Sequence, residues 1–465
     1  MTVFKSILVF ISSLIFTLSP QKSYTHGFVG QPRSLLPNEV ATESDRAVSK
    51  LLFRGLFKYD KEGDIVSDLA DSYEISDDGL SYTVYLKKGQ RWSNNQEITA
   101  DDLLYSAFTS ESLKEIATDK IDRYTIRYTL PNKYSPFLSI LTMGVSPSLH
   151  TNSKLEPISS GPYKVVRVKR EGPVIKEVVM QAIDRTYRIG KLSFRYYEDT
   201  DQLVTSQKLG EIDGFTSDQE IEWPNLNRTV YYQRGIYYSL IFNTRNKAIT
   251  KEIRKKLHEA IPMEEIVDDN GLSANGPISE NQYTSKKVVY PAHNPNLTDK
   301  LGVKIRMVIP DTDEHKRTGE IVTKAWEKLD VDVELLPTNV DKIEQDVVPA
   351  RDFDVLLYGQ EISRDPDRYA LWHSTRSQSP GLNIAGFENL RADRSLEEGR
   401  NALVENEREK HYEIFQESMV ENIPAIFLYH PKLVLYTNKR VKVVSESNLF
   451  YVHDLFNEFE RWDMN

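Results

Sequence analysis

The chain has 465 residues, more than one ordinary hydrophobic core accommodates, so two or three domains are expected. With 39% apolar and 28% charged residues it has a soluble globular balance, and its formal charge of −10 excludes nucleic acid as an expected partner, because phosphate binding wants a basic surface. Cysteine is absent, which excludes disulfides, thiolate metal sites, a cysteine nucleophile and a cysteine-linked lipid anchor.

At the N-terminus Lys5 precedes an apolar stretch, residues 7–18, interrupted only by small hydroxyl residues. That length suits a signal-peptide core and is short for a membrane span. No A-x-A pattern lies near Ser19-Pro20, so residues 1–26 read as a cleaved secretory signal or an uncleaved N-terminal anchor. The protein is expected to be exported, periplasmic or at the cell surface. Residues 49–56 have helical spacing, with Leu52, Phe53 and Leu56 on one side.

Residues 64–108 are the most informative stretch. Tyr73 and Ile75 alternate on one strand, Asp77-Asp78-Gly79 turns the chain, and Tyr82, Val84 and Leu86 alternate on the return. Asp-Gly between two alternating runs is a hairpin signal, because Gly tolerates the positive φ of a tight turn. Lys88-Gly89 is a second turn. Thr99 and Asp102 stand at capping-box spacing before a helix that carries Leu103, Leu104 and Phe108 on one face.

Further on, strands are predicted at 164–168, 174–181 and 192–197, a helix at 200–209 stopped by Gly210, and a parallel strand-helix-strand unit over 192–215. A strand at 238–244 precedes a helix capped by Thr250 that buries Ile253, Leu257, Ala260 and Ile261, with Pro262 opening the next helix. A second α/β unit follows. It has strands at 303–309, 331–336 and 353–358, and a helix with Ile321, Val322, Ala325, Trp326 and Leu329 on one face. Helical spacing over 396–418 and a strand at 425–429 complete it.

The order of residue types says more than the periodicity. Leu69, Ala70, Ser72, Tyr73, Ser76, Asp78, Gly79, Tyr82, Thr83, Leu86, Lys87, Gly89, Trp92, Ser93, Thr99, Ala100, Asp101, Tyr105 and Ser106 fit the pattern LAxSWxxSxDGxxYTFxLRxGVxWxDGxxxTAxDVxYS. That pattern resembles the signature of extracellular solute-binding protein family 5, the peptide, nickel and opine binders that feed ABC importers. Gly161-Pro162-Tyr163, Glu211-Ile212-Asp213-Gly214 and Phe242-Asn243-Thr244 resemble further segments of that family. So does Gly30 to Pro37, with Leu36 where Asp is usual. The resemblance implies an α/β, two-lobed hinged periplasmic-binding-protein-like fold of type II with a small inserted α+β domain. The expected division is lobe 1 at 27–60 and 156–247, the inserted domain at 61–155 ending near His150, lobe 2 at 248–432, and a return to lobe 1 at 433–465. It also implies a monomer that captures a peptide or similar small solute and delivers it to a membrane permease, with no cofactor.

The resemblance places the ligand beyond the strand ending at Gly359, where α/β sheets gather ligands. Tyr358, Gly359, Glu361, Arg364, Asp365, Tyr369, Trp372 and Arg376 are the candidates there, with Asn383 and Phe387 in a cleft-bordering loop, Asn243 near the hinge, and Leu35 on the first lobe. In peptide binders a loop of the form W-A-D-Y-P-D-P holds the ligand's ammonium on its first Asp. Alignment on Asp365-Pro366 puts Ile362 there, so the carboxylate is missing or displaced to Glu361. The non-peptide alternatives on this fold are an oligosaccharide, an opine or a nickel or other metal chelate. A peptide receptor or chaperone without transport is a different class.

His373 with Asp365 and Asp367 matches no tight metal-ligand spacing. Asp311, Asp313, Glu314 and His315 lie between a strand and a helix, where capping explains the acids. No nucleophile elbow, phosphate-cradling glycine loop or metalloprotease helix occurs, so no enzyme is expected. Glu264-Glu265 and Glu397-Glu398 read as solvated helix faces.

Overall fold

The computed structural model describes residues 22–148, 153–218, 220–279, 289–444 and 448–465. The expected signal core at 7–18 and the boundary near His150 lie outside the described residues. One large sheet runs through the molecule. Its neighbours are, in order, Val331–Thr338, Val303–Pro310, Val355–Glu361, Ile236–Phe242, Ala425–Asn438, Gly214–Ser217, Lys22–Val29, Ile189–Tyr197, Val174–Ala182 and Tyr163–Glu171. Lys22–Val29 pairs in parallel with Ile189–Tyr197 on one side and Gly214–Ser217 on the other, with the helix Thr200–Lys208 between those two in the chain. This is the expected strand-helix-strand unit with an N-terminal strand inserted. The strand begins at Lys22, and Tyr24 and His26 are buried, so residues 22–26 belong to the folded sheet and not to a leader extending to residue 26.

The strand Ala425–Asn438 is nine residues longer at its end than the alternation over 425–429 suggests. Its first part pairs with Ile236–Phe242, and its second part pairs with Gly214–Ser217 and Leu226–Gln233. One strand therefore serves both halves. Ile236–Phe242 also departs from the expected division. It pairs along its length with Val355–Glu361, and its side chains alternate between two buried layers of the second half. Leu240 and Phe242 pack with Trp326 and Leu357, whereas Tyr237 and Ile241 pack with Trp372 and Phe427. The helices Asp313–Glu327, Leu390–Asn401 and Glu405–Asn422 cover these layers.

The hairpin segment forms a four-stranded antiparallel sheet in the order Ala70–Ile75, Ser81–Leu86, Thr125–Thr129, Ala117–Asp122. Gly79 has φ +72° at the turn, as a tight hairpin requires. Tyr82, Val84 and Leu86 face inward. Tyr73 and Ile75 alternate as expected but lie exposed, on a strand whose outer face has no covering layer. The Asp102 carboxylate accepts from Thr99 N–H (3.0 Å) and from the N–H and hydroxyl of Ser148 (2.9 and 2.8 Å). The helix Ala100–Thr109 buries Ala100, Leu103 and Ala107 but turns Leu104 and Phe108 outward. The first helix runs Glu43–Leu52, earlier than 49–56, because the Thr42 hydroxyl accepts from Asp45 N–H and starts it there. The small sheet has no separate core. Tyr82, Tyr128 and Phe137 share one apolar cluster with Tyr24, Phe28 and Phe194 of the large sheet.

Tyr82 is fully buried against Phe137, ring centroids 4.8 Å apart, so Tyr82→Ala is expected to lower stability by about 3 kcal/mol in urea unfolding. Phe108→Ser, at an exposed position, should stay within about 0.5 kcal/mol of the parent.

Candidate functional site

The strand Val355–Glu361 ends where the two halves meet, and the chain after it is tied to the first half at successive residues. Ile362 N–H donates to Gly235 O (2.8 Å), and the Tyr451 hydroxyl donates to Ile362 O (2.9 Å). Glu361 is solvent-exposed and faces Arg46 at 3.7 Å. The Arg364 guanidinium sits among three aromatic rings, 4.8 Å from the centroid of Phe450, 5.0 Å from Tyr59 and 5.8 Å from Tyr451. It forms an ion pair with Asp454. Asp454 lies in the C-terminal turn Val452–Phe456, which packs on the helix Glu43–Leu52.

Asp454 is the centre of this junction. Its side chain is 3% exposed, and it takes an ion pair from Lys50 as well as from Arg364. The Tyr451 N–H (2.8 Å) and Asn457 Nδ2 (3.1 Å) also donate to it. Burial disfavours its charge, but Lys50 and Arg364 overcome that and hold its carboxyl well below the usual carboxylate range. Beside it Glu43 is paired with Arg46 (2.5 Å) and with His453 (2.9 Å).

A second contact joins the small sheet to the second half. Ser135 N–H donates to Arg400 O (2.8 Å), and the Arg400 guanidinium lies 4.1 Å from the Tyr369 ring centroid and 5.1 Å from that of Tyr134. Arg400 is paired with Asp367 (2.6 Å), and Arg408 with Asp365 (2.8 Å). Both acids of the Asp365–Asp367 loop are therefore engaged internally. Arg368 is buried beneath them, its Nε donating to Pro277 O (2.7 Å).

A third group of residues lies within the second half, beside the strand that both halves share. Tyr238 lies across Gly359, where an added Cβ would fall 2.9 Å from the ring, so this strand position admits only glycine without displacing the ring. Tyr238 stacks on Tyr429, centroids 5.2 Å apart, and its ring centroid is 4.7 Å from that of His315. The Tyr429 hydroxyl donates to Glu314 Oε1 (3.1 Å). Burial pushes the Tyr238 phenol up to about 12 and His315 down to about 4, so both are neutral at pH 7.

The structure thus brings together Tyr358, Gly359, Glu361, Arg364, Asp365 and Tyr369 along one edge of the second half. Arg376 lies over the outer side of Tyr369, 5.7 Å from its centroid. The other candidates stand elsewhere. Trp372 is buried in the core with Phe427 and Tyr237. Asn383 pins its own loop, donating to the carbonyls of Trp372, His373 and Phe387, and Phe387 is buried beside it. Asn243 donates to Arg351 O (3.2 Å) and Phe353 O (3.1 Å), at the opposite end of its strand from Gly359. Leu35 is wholly buried in the first core. His373 bonds Thr375 (2.9 Å) and Glu397 (3.2 Å), and no group of three metal-ligating side chains gathers among the described residues. Sequence reasoning missed Tyr59, Lys50, Tyr451 and Asp454, which are far apart in the chain. For Tyr451 and Asp454 the one signal was the expected return of residues 433–465 to the first lobe.

Against this geometry the comparisons are consistent. Residues 64–381 match the family described as bacterial extracellular solute-binding proteins, family 5 Middle, and the chain belongs to that family. The oligopeptide-binding protein AppA of Bacillus subtilis is 24% identical over 94% of this chain and 90% of its own length. The substrate-binding protein CtaP of Listeria monocytogenes superposes with a TM-score of 0.80 at 21% identity, covering 96% of this chain and all of that one. NikZ of Campylobacter jejuni, solved with Ni(L-His), superposes with a TM-score of 0.74 at 22% identity over the same shares. The fold is the two-lobed one of periplasmic solute-binding proteins, with the first two contacts above lying between the halves.

Asp454→Asn is expected to destabilise the fold at pH 7 by about 2 kcal/mol or more, since it leaves Arg364 and Lys50 without their buried counter-charge. Because the folded carboxyl titrates below the unfolded one, its contribution is present above the unfolded pKa of about 4 and is lost as pH falls through the folded value. Urea midpoints of parent and variant should therefore converge from pH 4 downward. Trp372→Ala should cost about 3 kcal/mol of stability and leave calorimetric solute affinity of the folded protein within about twofold.

Proposed function

We propose that the protein is the extracytoplasmic substrate-binding component of an ABC importer, closing two lobes on an oligopeptide and delivering it to a membrane permease without chemical change. The observation that carries this reading is the lobe junction, where a strand end offers backbone groups beside an aromatic wall made by residues of both lobes. A peptide main chain can add to such an edge, and side chains can lie against the rings. Tyr358, Gly359, Glu361, Arg364 and Tyr369 are the second-lobe residues assigned to this wall, and Tyr59 and Tyr451 their first-lobe counterparts. Closure on a solute requires contacts that exist only when the lobes meet, because a ligand with equal affinity for open and closed states shifts nothing.

One observation favours a second reading, a non-peptide solute such as an oligosaccharide, an opine or a metal chelate. Ile362 is buried, and the next acids, Asp365 and Asp367, are held by Arg408 and Arg400. No carboxylate of that loop is left to pair with a ligand's ammonium there.

Native mass spectrometry of the purified full-length chain, with release and sequencing of whatever co-purifies, separates the two. A ladder of peptides two to several residues long supports the first reading. A single non-peptide mass or a metal signal replaces it with the second.

A further inference from the structure

We propose that the outer face of the sheet in the first half docks on an anionic lipid surface. The inference goes beyond solute capture and does not depend on what the cleft binds. Its basis is a charge pattern set by strand register. Tyr163–Glu171, Val174–Ala182 and Ile189–Tyr197 lie side by side at one end of the large sheet. Cross-strand partners share a face, and successive residues alternate between faces. One face carries Val178, Met180, Leu192 and Phe194, all wholly buried. On the opposite face Lys164 and Lys191 flank Gln181, Arg167 stands opposite Val179, and Lys169 and Arg195 flank Glu177.

Five bases therefore gather on one face of a chain whose formal charge is −10. The one acid in these rows, Glu177, is buried and pairs with Lys169 and with Arg195 (3.8 Å). Arg195 also reaches Glu211 (3.7 Å). Among the described residues no carboxylate pairs with Lys164, Arg167 or Lys191, and Arg167 and Lys191 are exposed. Val166, at the bulge beside Arg167, and Ile183, just past the strand Val174–Ala182, are exposed as well. Unpaired bases interleaved with a few apolar side chains suit a layer of anionic headgroups over hydrocarbon.

The path of the chain favours lipid over an acidic protein as the occupant. The strand Lys22–Val29 begins with Lys22 opposite Ile189, next to Arg188 and Lys191, and Lys22 (2.5 Å) and Arg188 (3.4 Å) share the single carboxylate of Asp463. The apolar stretch over residues 7–18 precedes that strand by only a few residues. As leader or as anchor that stretch belongs to a membrane, so the chain leaving it enters the fold beside the basic face. The net negative charge of the whole chain does not oppose this docking. At physiological salt the screening length is about 8 Å, so a surface responds to the charges on the side that faces it.

The test is co-sedimentation of the full chain with vesicles of equimolar phosphatidylglycerol and phosphatidylcholine, compared with phosphatidylcholine alone. The apolar N-terminal stretch acts on both alike, so the ratio of the two affinities reads the charged face. Each base near an anionic surface contributes about fivefold, so Lys164, Arg167 and Lys191 together should give a ratio of about a hundred. Lys164→Gln with Lys191→Gln should cut the ratio about twenty-five-fold. Lys251→Gln with Lys255→Gln removes the same charge from exposed positions on the helix Lys251–Ala260 and should leave the ratio within about twofold. Unfolding midpoints of both variants are checked to be close to the parent's. Equal losses in the two variants overturn the proposal, because net charge and not this face then governs binding. A ratio near one for the parent also overturns it and leaves the face to an acidic protein partner.

Discussion

Fourteen residues of a single strand, Ala425–Asn438, hydrogen-bond to both halves of the molecule, and the rest of the architecture depends on that sharing. A strand whose two parts pair with different neighbours cannot slip without breaking pairs in both halves, and because it is buried along nearly its whole length a slip would also misplace its packed side chains. It therefore ties the two halves in a fixed register. Tyr429, near its midpoint, is paired with Tyr238 and lies at the junction itself.

Contacts of another kind join the two halves away from that strand. Asp454 gathers Lys50, Arg364 and two N–H donors in a buried setting, and Arg364 is enclosed by rings from separate segments. A buried ion pair contributes little net stability over an apolar alternative, but removing one member is costly. Such a pair specifies a geometry more than it strengthens a fold. It fixes where the chain after Glu361 runs, and hence how the backbone of that strand end is presented. The Ser135–Arg400 contact does the same at the small sheet.

What was legible in the sequence was whatever depends on neighbours a few residues apart. The Asp78-Gly79 hairpin, the Thr250 and Thr312 caps and the inward Val322, Ala325 and Trp326 follow from local periodicity and turn chemistry. The order of residue types over 64–108 was specific enough to place the family. The illegible parts have long-range causes. Leu104 and Phe108 have the spacing of a buried face, but the small residues Ala100 and Ala107 turn inward, allowing close packing. Residues 22–26 resembled the tail of a leader because a strand paired on both sides carries no alternation to distinguish it. The aromatic Trp372 and Phe387 sit in the loop region expected to line the cleft, yet they point into the core, since large apolar area is buried wherever packing permits.

The acids before the helix Asp313–Glu327 illustrate how one residue can satisfy two readings. Thr312 caps that helix and Asp313 and Glu314 complement its dipole, as their position in the chain suggests. A cap, however, needs only the hydroxyl and a nearby negative charge. It does not need Glu314 to accept from Tyr429 of the shared strand, or to stand within electrostatic reach of an acid from the other lobe. Those features tie the start of the helix to the strand that both halves share. The two carboxylates are therefore held differently: Asp454 by buried cations, Glu314 by a neutral phenol hydroxyl of the shared strand.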